Sequence, residues 1–244
     1  MQIGTAKPDA MANDAPHLAR LDVEPITLEG LEVFQVMCEV KADGLLERLP
    51  PALHPTIPGV ISWLAYRFDE SPWGPFRLVQ TRIECRSGTR PRGLLIAGVI
   101  DNEVASRALT DGWGYNLFSG EIDFRRGYDG TNLRVSVEDE CILDLAMNEP
   151  MLLPSDAVQF VSSLHPAHTP RGYRLVQVDP VHKLDRAERG EPIVNEFDAE
   201  AWNLRGLEAY YPISAAHGSG TLTLGKLRFL CKPGELAFTG TETL

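Results

Sequence analysis

"GVIDNEVASRALTDGWGYNLFSG", residues 98–120, decides the reading of the fold. An apolar run ending at Ile100 meets Asp101 and Asn102, residue types whose side chains cap helices by accepting backbone N–H bonds. Val104, Ala105 and Ala108 then supply an apolar helix face, and Gly112 suits a helix end because glycine takes left-handed backbone angles at little cost. Beyond it, three aromatics and Asn116 lie between glycines in a pattern too irregular for an amphipathic helix or strand. The stretch predicts a short helix over 101–112, a glycine-rich junction able to approach a cavity closely, and a strand starting near Glu121.

On either side of this junction the chain breaks into short runs rich in β-branched and aromatic residues: 32–40, 60–68, 76–85, 93–100, 120–126, 132–140, 173–181 and 220–230. Several alternate polar and apolar residues, as half-buried strands do. In "NLRVSVEDE" (132–140), Leu133, Val135 and Val137 share one face and Arg134, Ser136 and Glu138 the other. Helical patterns are few. "KADGLLERLPP" (41–51) predicts a brief helix with Asp43 as cap, stopped by Pro50 and Pro51. "HPAHTPRG" (165–172) is expected as a loop, and 191–212 is ambiguous. The fold class expected is mainly β (α+β), with antiparallel pairing favoured over alternating βαβ units.

Composition narrows the function classes. With 244 residues, the chain suits one domain with a sizeable core. Residues 1–20 read as a flexible polar leader without a secretory-signal pattern, and 21–244 as the single domain. The formal net charge of -11 and the dispersed basic residues argue against nucleic-acid binding, which needs clustered Lys and Arg. No apolar run approaches a membrane span. The cytoplasm is the default compartment. Cys38, Cys85, Cys141 and Cys231 are far apart with no metal-type spacing, and buried or half-buried free thiols are expected. No phosphate loop, dinucleotide motif or nucleophile elbow is present, and neither a metal nor a cofactor is implied.

"LLERLPPALHP" (45–55), "ESPWGPF" (70–76), "YDGTNLRVSV" (128–137) and above all residues 98–120 together give a resemblance to the acetoacetate decarboxylase family, over about residues 28–235. It implies a cone-like antiparallel β-barrel or split sheet around a central cavity, a few outer helices, and homo-oligomeric association. Decarboxylases of that family use a lysine amine to form a Schiff base with a β-keto acid, with a second lysine depressing its pKa; an ordinary lysine is protonated near neutral pH and so a poor nucleophile. At the two lysine positions this chain has Leu117 and Phe118. The family's proline is Asn116, and its Gly-Arg-Glu is Leu109, Thr110 and Asp111. A glutamate that follows the "ESPWG"-type turn is replaced by Leu78, and a further pocket acid falls at Trp63. Losing acids and lysines together is self-consistent, because a carboxylate left unpaired in a pocket is costly.

The resemblance puts Trp63, Leu78, Trp113, Leu117 and Phe118 at the substrate pocket, with Tyr115 and Asn116 as orienting hydrogen-bond groups; packing as plain core explains the same aromatics. If Leu78 faces inward, strand alternation brings Gln80, Arg82 and Glu84 to the same side, where Arg82 suits a carboxylate or an enolate. A surface strand face is the competing reading. The candidate catalytic set is Arg82, Tyr115, Asn116 and Gln80. His165 and His168 read as loop histidines without a site role, and His54 and His217 stay unassigned. The implied ligand is a small apolar or keto-bearing compound. The leading expectation is an enzyme of lyase or isomerase/cyclase type acting through enolate-like charge on a keto or polyketide/terpenoid-like compound, in a pocket more apolar than the family's and suited to a larger or less charged ligand, without the Schiff base. The alternatives are a non-catalytic binding protein and a β-keto acid decarboxylase with a displaced lysine such as Lys183 or Lys226.

Overall fold

The computed structural model describes residues 2–41 and 44–244. Fifteen strands are described: β1 (Ile26–Val40), β2 (His54–Pro55), β3 (Val60–Phe68), β4 (Phe76–Ser87), β5 (Arg90–Ile100), β6 (Leu117–Ser119), β7 (Glu121–Arg126), β8 (Gly130–Val137), β9 (Glu140–Leu153), β10 (Ser163–Thr169), β11 (Gly172–Val178), β12 (Val181–Phe197), β13 (Ala209–Leu224), β14 (Phe229–Cys231) and β15 (Thr241–Thr243). They form one sheet in the order β15-β14-β11-β10-β5-β4-β3-β1-β13-β12-β9-β8-β7, with β2 paired to β4 and β6 to β5. All these pairs are antiparallel except β5–β10 and β5–β6. The path does not close into a ring of hydrogen bonds, so the expected mainly β fold takes the split-sheet form. No helix among the described residues is long and apolar enough to cross a membrane.

Alternation along the central strands gives the sheet two apolar cores. Phe34, Val36, Trp63, Ala65, Val79 and Ile83 pack on one face with Leu133 and Val135 of β8. Val33, Leu64, Tyr66, Phe68, Phe76 and Leu78 pack on the other with Trp113, Tyr115 and Val176. The sheet curls strongly, so that Tyr66 on β3 bonds His182 on β12, three strands along the path.

Helix α1 (Glu103–Trp113) follows the predicted start. The Asn102 side chain accepts from Ala105 N at 2.9 Å, and the helix ends on Gly114 with φ of 75°. The Asn102 amide also donates to Trp73 O and Pro75 O, tying the 70–76 turn to the helix. The β8–β9 hairpin turns through Glu138 and Asp139, both at positive φ, as a two-residue loop with the right-handed strand twist requires.

Several expectations are corrected. Most of residues 165–172 is strand and not loop: β10 runs through Pro166 and His168 to Thr169, and only Pro170 and Arg171 form the turn into β11. The predicted 41–51 helix is reduced to a 3-10 turn at Leu46–Arg48, and its proposed cap Asp43 lies outside the described residues. The ambiguous 191–212 region is the end of β12, a turn segment and the start of β13. The expected 220–230 strand is split, with β13 ending at Leu224 and β14 opening at Phe229. The segment read as a leader packs on the domain. Gly4 N donates to Leu53 O at 2.9 Å, Leu18 N donates to His168 O at 2.8 Å, and Leu18 is buried. Cys38, Cys85 and Cys231 are buried, and Cys141 half-buried, all as free thiols.

Candidate functional site

Leu78, Gln80, Arg82 and Glu84 alternate with Val79, Thr81, Ile83 and Cys85 on β4, and the first three pair across to Tyr66, Leu64 and Ser62 on β3. The period of two therefore sends Gln80, Arg82 and Glu84 to one face, as expected. All three are buried, Arg82 to 2% exposure. Gly93 on β5 makes room for them, because a side chain there would meet Arg82 Cδ at 3.0 Å.

A buried guanidinium normally has a carboxylate partner, since an isolated charge pays the full desolvation cost. Among the described residues Arg82 has no carboxylate within 4.0 Å. Its Nε donates to Gln80 Oε1 at 3.1 Å, and its terminal nitrogen to the same oxygen. Glu84 lies nearby but is engaged by Ser62 Oγ at 2.5 Å. Burial raises the Glu84 carboxyl above its ordinary range, against the lowering effects of Ser62 and Arg82.

Two tyrosines and two histidines surround this cation. The Tyr66 hydroxyl is 3.2 Å from His182 Nε2 and also faces Arg82. Burial raises the pKa of Tyr66 and of Tyr115, so both stay hydroxyl donors. Tyr115 faces Gln80 and Ser163, and its ring lies 5.1 Å from that of His165. Burial holds His165 down to about 4 and His182 to about 3, with Arg82 adding to both shifts. His165 Nε2 donates to Trp113 O at 2.7 Å, which fixes the neutral tautomer and leaves Nδ1 as a bare acceptor. That Nδ1 and Ser163 Oγ are buried without hydrogen-bond partners. Phe160, half-buried, stacks on His182 at 3.9 Å.

The remaining predicted residues are divided. Leu78 and Leu117 lie on the Arg82 face, meeting above Gly98, and Leu117 packs against that core half-buried. Trp113 is buried there with its indole N–H on Gly225 O at 2.9 Å, so it packs as core. Trp63 points to the opposite face, edge-on to Phe197 at 5.0 Å, and Phe118 joins it there, edge-on to Trp202 at 5.8 Å. Asn116 turns outward to a separate pocket. Sequence reasoning left out Tyr66 and His182, and it placed His165 in a loop. Inside, Tyr66, Leu78, Gln80 and Tyr115 border a cavity of about 10 Å³ otherwise walled by apolar side chains, room for about one water.

No family model matches the chain, and no curated protein matches it. Solved structures do. An acetoacetate decarboxylase from Legionella pneumophila superposes with a TM-score of 0.72 at 17% identity, covering 93% of this chain and 97% of that one. A second acetoacetate decarboxylase structure gives 0.75 at 16% identity, with 93% of each chain covered. The fold is that of acetoacetate decarboxylase. The enduracididine biosynthesis enzyme MppR shares it, with a TM-score of 0.69 at 18% identity over 88% of this chain and 90% of that one.

On this acetoacetate decarboxylase-like scaffold the most deeply buried arginine among the described residues is Arg82, at 2% exposure; Arg92 on β5 is also buried, at 8%. Four of the five lysines, Lys7, Lys41, Lys183 and Lys226, are exposed, and Lys232 is half-buried beside Glu235. Chemically, the arrangement holds a fixed positive charge, the hydroxyls of Tyr66, Tyr115 and Ser163, and two imidazole nitrogens without partners, His165 Nδ1 and His182 Nδ1, in a low-dielectric interior, where hydrogen-bond donors and positive charge stabilise negative charge far better than in water.

Proposed function

We propose that the chain takes a small keto carboxylate and acts on it through an enolate, as a lyase or an isomerase/cyclase, without a lysine Schiff base. The observation that carries this reading is Arg82, a buried guanidinium satisfied by an amide oxygen rather than a carboxylate. An anionic ligand supplies the missing partner, and guanidinium binds planar carboxylates through two parallel bonds. The Tyr115 hydroxyl stabilises the developing enolate oxygen, and His165 Nδ1 accepts the proton leaving carbon, its neutral form being the one burial favours. The similar enzyme MppR has been solved with pyruvate, which makes pyruvate the first probe. Entry requires side chains to move aside, since the cavity holds about 10 Å³.

Proton NMR of pyruvate in deuterium oxide tests this. Wild-type protein is expected to speed methyl deuteration, and Arg82→Met and His165→Ala to abolish it. The closed cavity also favours a second reading, a binding protein without turnover. Pyruvate bound without deuteration selects that reading, and the absence of any binding removes both.

A further inference from the structure

The edge of β5 that faces β10 is only partly paired. Its ladder with β10 consists of Gly93 with Ser163 and Leu94 with Leu164, and its ladder with β6 starts at Gly98 with Leu117. Residues 95–97 between them have no strand partner on that side. Asn116 and Pro166 flank this gap, each the chain neighbour of a ring in the Arg82 cluster, Tyr115 and His165. Leu95, fully buried in the same core as Tyr115, forms the wall between.

Outside the gap lies a pocket of about 530 Å³ with Leu95, Ile96, Asn116 and Pro166 on its inner wall. Its outer wall is the segment from Ala6 to Ala15. That segment is tied at one end by Gly4 N to Leu53 O and Ala6 N to Leu49 O, and at the other by His168 N to Pro16 O and Leu18 N to His168 O. Between these anchors it crosses the pocket with one further hydrogen bond to the domain among the described residues, His168 Nε2 to Ala12 O. Lys7, Arg48, Arg205, Asp14, Glu47 and Glu200 also line the pocket, with Arg205 paired to Glu200.

We propose that this pocket is the vestibule of the Arg82 site. A keto carboxylate passes over Leu95 between Asn116 and Pro166, its charged head reaching Arg82, and the polar remainder of a longer substrate stays among the mixed charges of the rim. This rests on the reading of Arg82 given above.

Stopped-flow association of pyruvate and of 2-oxoglutarate tests it. Ala10→Trp fills the vestibule from the exposed segment and leaves the sheet untouched, and Asn116→Trp fills it from the inner wall; native unfolding midpoints establish that each variant folds. Both are expected to slow association at least tenfold, and to weaken 2-oxoglutarate more than pyruvate. Phe160→Ala, which removes the ring stacked on His182, is expected to leave association within twofold. Wild-type rates in both filled variants, or a tenfold rise in Phe160→Ala, overturn the vestibule while leaving the Arg82 reading intact. Wild-type protein that binds neither probe overturns the Arg82 reading and the vestibule with it.

Discussion

Leu78 and Leu117 converge on Gly98: a side chain on that glycine would stand 2.6 Å from Leu117 Cδ2 and 3.3 Å from Leu78 Cδ1. These are the positions where the family resemblance implies an acid and a lysine, so two apolar groups stand where the resemblance implies charged ones. Their contact depends on Gly98 having no Cβ. Gly98→Ala is expected to destabilise by about 1–3 kcal/mol through overpacking, read as a lower urea midpoint. In the Leu117→Ala background the same change is expected to cost measurably less, because the two sites share one space; equal cost in both backgrounds contradicts the contact.

Arg82 and Gln80 form a second dependent pair. Gln80→Leu removes the acceptor and leaves a buried charge unsatisfied, with an expected loss of roughly 2–4 kcal/mol. Arg82→Met replaces the charge with an apolar chain of similar length, and its expected cost is smaller or reversed in sign. Chemical denaturation of the two variants checks the order. A larger loss in Arg82→Met means that the guanidinium stabilises the fold and is not kept for a ligand.

The histidines set the acid limb of stability. His165 and His182 have folded pKa values depressed to about 4 and about 3 from 6.5, so the unfolded chain binds protons more readily. Their contribution is present above pH 6.5 and is lost as pH falls toward 4 and below. Glu84 acts oppositely, because its folded pKa is raised and its contribution disappears as pH rises through that value. Unfolding free energy measured across pH 4–8 is expected to fall steeply below 6.5 and less steeply in His165→Gln. Glu84→Gln is expected to raise stability more at pH 8 than at pH 4.

The two faces of the sheet separate packing from binding. Trp63→Leu empties part of the core opposite Arg82 and is expected to cost a few kcal/mol while leaving pyruvate affinity unchanged in calorimetry. Tyr115→Phe is expected to weaken pyruvate binding several-fold with a much smaller change in stability. Binding lost in Trp63→Leu at a temperature where the variant stays folded contradicts this division.

Most of the strand pattern and the capped helix were legible because they rest on local periodicity. Alternation from Leu78 also delivered Gln80, Arg82 and Glu84 to one face. Trp63 failed for the same reason that alternation succeeds: a one-residue change of register reverses the face, and it is Leu64 that pairs with Gln80 on the cavity side. His165 was hidden because the prolines at 166 and 170 suggest a loop, although β10 is antiparallel to β11 over its full length while β5 binds only its first two residues. The charge-rich β12 resembles no buried strand, since much of it is exposed. Tyr66 and His182 are 116 residues apart, and only the curl of the whole sheet brings them together.

Arg82 is proposed as the anion-binding group of a site without a Schiff-base lysine. Calorimetric titration of pyruvate into wild-type protein and Arg82→Met tests it most directly. Saturable binding by the wild type is expected, with at least about thirty-fold weaker binding by the variant, the loss expected when a buried charge contact of 2 kcal/mol or more is removed. Equal affinity in the two proteins contradicts it.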